Sequence, residues 1–263
     1  MPFLEFILTH WDLVGFFFLI AILYASVGFG GGSSYLAVLA LTSLSFSEIR
    51  ATALICNIVV VSNATYLHHK NNGYNFKKVL PLIMASIPMA FVGGYLKIEA
   101  FFFYLLLGAT LLVAAVLMFT TKQEPKFNTQ TLDKPTTISA FKNLSYGGFI
   151  GFISGMVGIG GGIFLAPLLH LTKWDNSKKI AATASLFILV NSISGLSGQL
   201  LNPNFSINLQ LTFVLAITVF IGGQIGSRIG IHLIKPLTLK KATAVLIAFV
   251  ALRILAKHLS SFL

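Results

Sequence analysis

Two dense glycine runs are the parts of this sequence best suited to bind a small ligand. The first is Ala25-Ser-Val-Gly-Phe-Gly-Gly-Gly32, and the second is Gly155-Met-Val-Gly-Ile-Gly-Gly-Gly162. Such a run interrupts a helix, and the next helix begins with free N–H groups that point back at the break with the positive end of the helix dipole. Two helix N-termini opposed in this way would hold an anion without any formal positive charge.

The candidate binding residues are the glycines of both runs together with nearby hydroxyl and amide side chains. The set comprises Gly28, Gly30, Gly31, Gly32, Ser33, Ser34, Thr52, Asn57, Gly158, Gly160, Gly161, Gly162, Thr183, Ser185 and Asn191. Small polar residues also form hydrogen bonds between helices throughout membrane bundles, so ligand contact and packing are both open for the side chains. The density of the glycine runs favours a functional break, whereas Gly222, Gly223 and Gly226 are expected to let helices pack closely.

Other kinds of chemistry lack the residues that they need. None of the seven acidic residues lies at the centre of an apolar run, where a proton carrier or cation transporter would place a carboxylate. Histidine and cysteine do not cluster at metal-ligand spacing, and Gly28-x-Gly30 is followed by Ser33 instead of the third glycine of a dinucleotide fingerprint. No Ser, His and acid set suggests hydrolysis. We therefore expect a protein that is not an enzyme and that binds no metal and no cofactor.

The composition is typical of a membrane protein. Of the 263 residues, 56% are hydrophobic and only 10% are charged, with 18 Lys and Arg against seven Asp and Glu. A soluble chain carries about a quarter charged residues. The basic residues stand singly or in pairs between apolar runs, which indicates loops held on the cytoplasmic side and excludes a nucleic-acid-binding surface. The expected surroundings are a lipid bilayer and the expected partner is a small anion.

Long stretches without Asp, Glu, Lys or Arg predict the membrane segments, each of which needs roughly 20 residues to cross the bilayer. Residues 13–47 are too long for one helix, and the glycine run predicts two short helices there, S1 and S2. Residues 180–227 divide into two helices at Asn202-Pro203-Asn204. Residues 121–143 change to a polar composition and predict a linker near the middle of the chain.

The two halves of the chain repeat each other. Besides the glycine runs, Ala51-Thr52-Ala53 matches Ala182-Thr183-Ala184, and Gly93-Gly94 matches Gly222-Gly223, at offsets of 129 to 131 residues. Three matches in one order predict an internal duplication. We predict a first transmembrane repeat at residues 1–120, a cytoplasmic linker at 121–143, and a second transmembrane repeat at 144–263.

The basic residues switch between equivalent loops of the two repeats. Lys70, Lys77 and Lys78 make one loop of the first half basic, whereas the equivalent residues 202–208 of the second half carry no charge. By the positive-inside rule, the repeats then sit upside down relative to each other. The predicted fold class is an all-α polytopic membrane protein of two inverted-topology repeats. Each has about five helical segments, with S1 and S2 meeting near the membrane midplane and both chain ends outside the cell.

The glycine motifs resemble those of the sulfite exporter TauE/SafE family of bacterial inner-membrane permeases. The resemblance rests on Gly28-Phe-Gly-Gly-Gly32 and Gly158-Ile-Gly-Gly-Gly-Ile-Phe-Leu-Ala-Pro167, and it extends over nearly the whole chain. It implies location in the inner (plasma) membrane and transport of small sulfur oxyanions or organosulfonates, such as sulfite or sulfoacetate, usually outward. One departure is Ser33-Ser34 in the first motif, where the second has Ile163-Phe164.

The membrane potential favours the outward direction. An outgoing monovalent anion gains roughly 2.3 kcal/mol per 100 mV, so its export needs no coupling ion and no buried carboxylate. We therefore predict an exporter that works by alternating access. A passive anion channel and an importer of the same substrates stay open as alternatives, and a membrane-embedded enzyme or assembly subunit is the least favoured. The sequence does not indicate the oligomeric state.

Overall fold

The structure is a computed structural model that describes residues 10–26, 30–70, 73–120, 137–172, 174–229 and 236–259. Gly28 and most of the predicted linker, residues 121–136, lie outside these segments. Within them the secondary structure is entirely helical, without a strand. The predicted all-α fold class is therefore confirmed for the described part of the chain.

Ten helices are present in the described segments, five on each side of residues 121–136. The first five are α1 (Trp11–Ser26), α2 (Gly32–Leu39), α3 (Phe46–Lys70), α4 (Phe76–Tyr95) and α5 (Ala100–Thr120). The second five are α6 (Thr137–Val157), α7 (Gly162–Leu171), α8 (Ser177–Leu200), α9 (Leu209–Ile229) and α10 (Pro236–Leu259). Since α6 begins at Thr137, residues 137–143 of the predicted linker belong to a helix.

The distribution of side chains fits a chain surrounded by lipid. Five of the described helices, namely α3, α4, α5, α8 and α9, are long and apolar enough to cross a membrane. Large apolar side chains such as Phe213, Phe220 and Phe249 are more than half exposed on the helix surfaces. Small polar residues such as Thr52 and Ser154 are instead buried. Large apolar side chains on the outside, with small polar side chains buried among the helices, are the arrangement that a bilayer favours.

Each short helix packs against the helix before it. Trp174, which follows α7, donates from Nε1 to Oδ1 of Asn143 near the start of α6, at 3.1 Å. In the first half, the ring of Tyr35 in α2 stacks on Phe17 in α1 with centroids 4.6 Å apart. The second glycine run is therefore the turn of a helical hairpin formed by α6 and α7. In each half, these two helices are followed by three more.

The helices α3 and α8, which the sequence predicts to be equivalent, cross in opposite directions. Leu54, in the first part of α3, packs on Gly195 near the end of α8. Gly73, just after α3, packs on Ala182 near the start of α8. By contrast, α1 and α9 run parallel, because Phe18 lies beside Gly222 and the later residue Ile22 lies beside Gly226. Close approach at Gly222 and Gly226 agrees with the packing role predicted for them.

The loops gather at two ends of the helical bundle. At one end, Lys78 forms an ion pair with Asp175 at 3.4 Å and accepts a bond from Asn143 Nδ2 at its backbone oxygen. We name this the basic end; it contains Lys70, Lys77, Lys78, Lys142, Lys178 and Lys179. At the opposite end, Ser206 N–H donates to Ser47 Oγ at 3.0 Å, and Asn202 Nδ2 donates to Tyr95 O at 2.9 Å. The opposite end thus joins loops 40–45, 96–99 and 201–208.

Candidate functional site

The two glycine breaks touch each other in the middle of the structure. Asn57 of α3 donates from Nδ2 to Ile159 O, in the second break, at 3.0 Å. Gly32, at the end of the first break, lies so close to Ile159 O and the Asn57 amide that a Cβ on it would overlap both. Ser192 of α8 completes the contact, since its Oγ lies 2.8 Å from where a Cβ on Gly160 would be. We name these parts, residues 30–32 and 158–162 with Asn57 and Ser192, the break site.

The second break requires glycine because of its backbone conformation. Gly158, Gly160 and Gly161 have φ of 88°, 82° and 84°, in the left-handed region that other residues adopt only at a cost. In the first break the described glycines are required by close approach instead: a Cβ on Gly30 would lie 2.8 Å from Asn57 Oδ1. The two breaks are therefore similar in sequence but differ in conformation, and each depends on glycine for its own reason.

Several buried polar atoms around the breaks have no hydrogen-bond partner. Beside the described break residues these include Asn57 Oδ1, Ser154 Oγ and Ser192 Oγ. Leaving one such group unpaired in the interior costs about 1–3 kcal/mol. Native proteins satisfy nearly all buried polar groups with protein atoms, ordered water or ligands. The cluster therefore has unused hydrogen-bonding capacity for a polar ligand or water.

The structure brings some of the predicted site residues together and assigns partners to others. The described glycines of both breaks and Asn57 meet at the break site, and Ser33 and Ser34 are buried at the start of α2. Thr52 Oγ1 instead lies 2.8 Å from Thr212 Oγ1, an interhelical pair between α3 and α9. This contact represents the packing role that the sequence left open.

The remaining predicted side chains bond mainly within the fold. Ser34 Oγ lies 2.8 Å from Tyr24 Oη, Ser185 Oγ donates to Ala182 O at 2.8 Å, and Asn191 Nδ2 donates to Phe187 O at 2.8 Å. Ser185 also lies beside Tyr74, in the loop before α4, where burial raises the pKa of the Tyr74 phenol above its ordinary value. Thr183 and Asn191 are the members of this group with unpaired oxygen atoms.

Arg50 is not among the site residues that the sequence predicts. The side chain is buried in α3, and its Nη2 donates to Gly155 O at 3.0 Å and to Gly93 O and Gly94 O at 3.4 Å. These carbonyls lie in the last turns of α6 and α4, which carry the negative ends of the helix dipoles. The sequence did hold a signal, because Arg50 directly precedes Ala51-Thr52-Ala53 while Ala181 precedes the matching segment.

A protein family and two proteins with names match this chain over most of its length. The model of the family described as "Sulfite exporter TauE/SafE" matches residues 13–254. A probable membrane transporter protein of Sinorhizobium fredii is 31% identical over 239 residues, covering 91% of this chain and 95% of its own. A probable membrane transporter protein of Methanocaldococcus jannaschii is 24% identical over 242 residues, covering 86% of this chain and 88% of its own. No solved structure matches the chain at a significant level.

Proposed function

The chain belongs to the sulfite exporter TauE/SafE family of membrane transporters, and from that premise we propose that it exports a small sulfur-containing oxyanion, such as sulfite or sulfoacetate, by alternating access. The anion binds at the break site, where the N-termini of α2 and α7 begin. The observation that carries this proposal is the contact between the two breaks through Asn57, with the unpaired buried hydroxyl groups of Ser154 and Ser192 beside the second break as donors. Helix N-termini and amide or hydroxyl donors are suited to an oxyanion.

The directions of the helices support alternating access. In transporters with inverted repeats, the substrate site lies where discontinuous helices of both repeats meet, and one repeat moves against the other around it. Here α3 and α8 run antiparallel, as equivalent helices of an inverted pair do. The short helices α2 and α7 both begin at the break site and lead away from it. Equivalent movements of the two repeats would expose the anion first to one side of the membrane and then to the other.

The charges near the site support an anionic substrate. Of the described acidic residues only Asp175 is buried, and it pairs with Lys78 at 3.4 Å and Lys179 at 3.9 Å at the basic end. The polar groups that contribute to the break site are thus neutral amides, hydroxyls and backbone dipoles. Such a site binds an anion without holding it too tightly to release. The membrane potential then supplies the outward driving force.

Sulfite flux in proteoliposomes tests this proposal, with Gly160→Ala as the main variant. A Cβ at this left-handed position strains the second break and crowds Ser192 Oγ, so we expect sulfite flux to fall about tenfold or more. Gly148→Ala in α6 is the matched control, because its Cβ would have ordinary contacts at 3.7 Å. The control should keep wild-type flux.

The kinetics and driving force of sulfite movement distinguish a carrier from a channel and an exporter from an importer. Saturable, slow sulfite movement supports a carrier, whereas single-channel currents would indicate a passive anion channel. Sulfite accumulation against its gradient when a cation gradient is imposed would indicate an importer. Undiminished flux in folded Gly160→Ala would remove the break from the mechanism, and a wild-type protein that moves none of the sulfur oxyanions would contradict the proposed substrate class.

A further inference from the structure

A narrow opening at the opposite end of the molecule reaches a buried arginine beside the second glycine break. Residues of α3, α4, α8 and the loops after α4 and α8 surround it. The lining includes Ser47, Arg50, Gly94, Lys97, Gln199 and Asn202. We name this the Arg50 opening. It contains two cationic residues, and no acid is among its lining residues.

Arg50 connects this opening to the break site. Its side chain is only 3% exposed, yet Nε has no hydrogen-bond partner. A Cβ on Gly158 would lie 3.1 Å from both Cα and Cβ of Arg50, so the arginine packs directly on the second break. The nearest acid along α3, Glu48, accepts bonds from Ser45 N–H and Ser45 Oγ at 2.9 Å each, on the loop before the helix. The guanidinium therefore bonds to the carbonyl oxygens of Gly93, Gly94 and Gly155, and no carboxylate of the described residues accepts from it.

Gln199 provides a second, independent observation that points to a ligand. It is 2% exposed and lines the opening, and neither Oε1 nor Nε2 of its amide has a partner. A buried amide with both ends unpaired is rare in a folded protein unless a ligand or water completes it. An oxyanion would accept a hydrogen bond from Nε2 and would be attracted by the positive charges of Arg50 and Lys97.

The fold itself does not require an arginine at this position. When Ala51-Thr52-Ala53 is aligned with Ala182-Thr183-Ala184, the residue of α8 that matches Arg50 of α3 is Ala181. The sequence therefore has alanine at the position that matches Arg50, whose guanidinium donates to Gly93 O and Gly94 O of α4. A buried charge is costly, so its presence in only one half favours a role beyond packing.

We propose that Arg50 and Gln199 form a second binding position for the transported oxyanion, between the break site and the opposite end of the molecule. This inference rests on the proposed function and names a further site on the same path. Arg50 Nε–H and the Gln199 amide N–H donate to the anion, while Nη2 of Arg50 keeps its bonds to the helix carbonyls. Hydrogen bonds from a cation to an oxyanion are about twice as strong as neutral ones, which gives the position its selectivity for anions.

The decisive variant is Gln199→Met, examined in the purified full-length chain with sulfite as the probe. Methionine matches the size of glutamine and removes an unpaired buried amide, so the melting temperature without ligand should be unchanged or higher. The dissociation constant for sulfite and the KM for its flux should rise about fivefold or more, because a donor to the anion is lost. Gln210→Met, on the exposed surface of α9, is the control and should match wild type.

Arg50→Lys tests the guanidinium separately. Lysine keeps the charge but lacks the planar set of donors, so sulfite should bind about tenfold more weakly, while Lys97→Gln should have a smaller effect. Wild-type sulfite affinity and KM in Gln199→Met would overturn the inference, even if the wild-type protein transports sulfite as proposed. If the wild type binds sulfite in a Gln199-dependent manner but does not move it, the site stands and the proposed export fails.

Discussion

Thr52 and Thr183 occupy matching positions in the predicted sequence repeat, but their hydroxyl groups have different surroundings. Thr52 Oγ1 lies 2.8 Å from Thr212 Oγ1, whereas Thr183 Oγ1 is buried without a partner. Replacing Thr52 with valine should therefore lower the free energy of unfolding, by about 0.6 kcal/mol for an interhelical bond of average strength. Thr212→Val should cost a similar amount, and the double variant little more, because both changes remove the same bond. Reversible unfolding in mixed micelles measures all four proteins of this cycle.

For Thr183→Val, unlike Thr52→Val, we expect no loss of stability. Removing an unpaired buried hydroxyl should leave the stability unchanged or raise it, since no protein hydrogen bond is lost. If Thr183 contacts the anion, as the sequence predicts, the dissociation constant for sulfite should rise while that of Thr52→Val stays at the wild-type value. Equal sulfite affinity in Thr183→Val and wild type would remove Thr183 from the site.

This pair shows how far the sequence could predict individual residues. The glycine breaks were identifiable because their density and duplication make them distinctive along the chain. The roles of Thr52 and Thr183 were not separable, because the deciding neighbour, Thr212, is remote in sequence and meets Thr52 only after α9 packs on α3. Arg50 was missed for a similar reason, since its burial depends on carbonyls from α4 and α6.

At the scale of the helices, the contact between α4 and α6 depends on a row of glycines. Gly147, Gly151 and Gly155 of α6 lie directly on the backbone of α4, and a Cβ on Gly151 would be 2.6 Å from Ser86 O. Gly151→Ala should therefore push the two helices apart and lower the melting temperature in detergent, because backbone atoms cannot move aside as a flexible side chain can. Gly148→Ala, whose nearest contacts are at 3.7 Å, is the neighbouring control.

A melting temperature of Gly151→Ala equal to that of the control would show that α4 and α6 are not held by this contact. The spacing of these glycines is visible in the sequence, but the sequence does not state which helix packs on them. Hydrophobic periodicity gives little help here, because helices in lipid are apolar on the outside as well as between neighbours. The number and bounds of the helices were therefore more predictable than their pairing.

At the scale of the whole molecule, the separation of charge between the two ends predicts how the protein sits in the membrane. The basic end joins the segment after α3 with the segment before α8, near Lys70, Lys78 and Lys178, and the positive-inside rule places it in the cytoplasm. The opposite end, with Asn204, then faces outward. The only native cysteine, Cys56, is buried, so it should add little to the maleimide labelling of single cysteines introduced at exposed positions.

Two variants decide this orientation, Lys70→Cys at the basic end and Asn204→Cys at the opposite end, both at exposed residues. A membrane-impermeant maleimide should label Asn204→Cys in intact cells, and Lys70→Cys only after the membrane is permeabilised. Parent protein with Cys56 alone should stay unlabelled. The reverse pattern would invert the orientation, and equal labelling of both would contradict the separation of the two ends. With the expected result, the Arg50 opening faces outward. An exported anion would then meet Arg50 and Gln199 after the break site, as its last protein contacts before release.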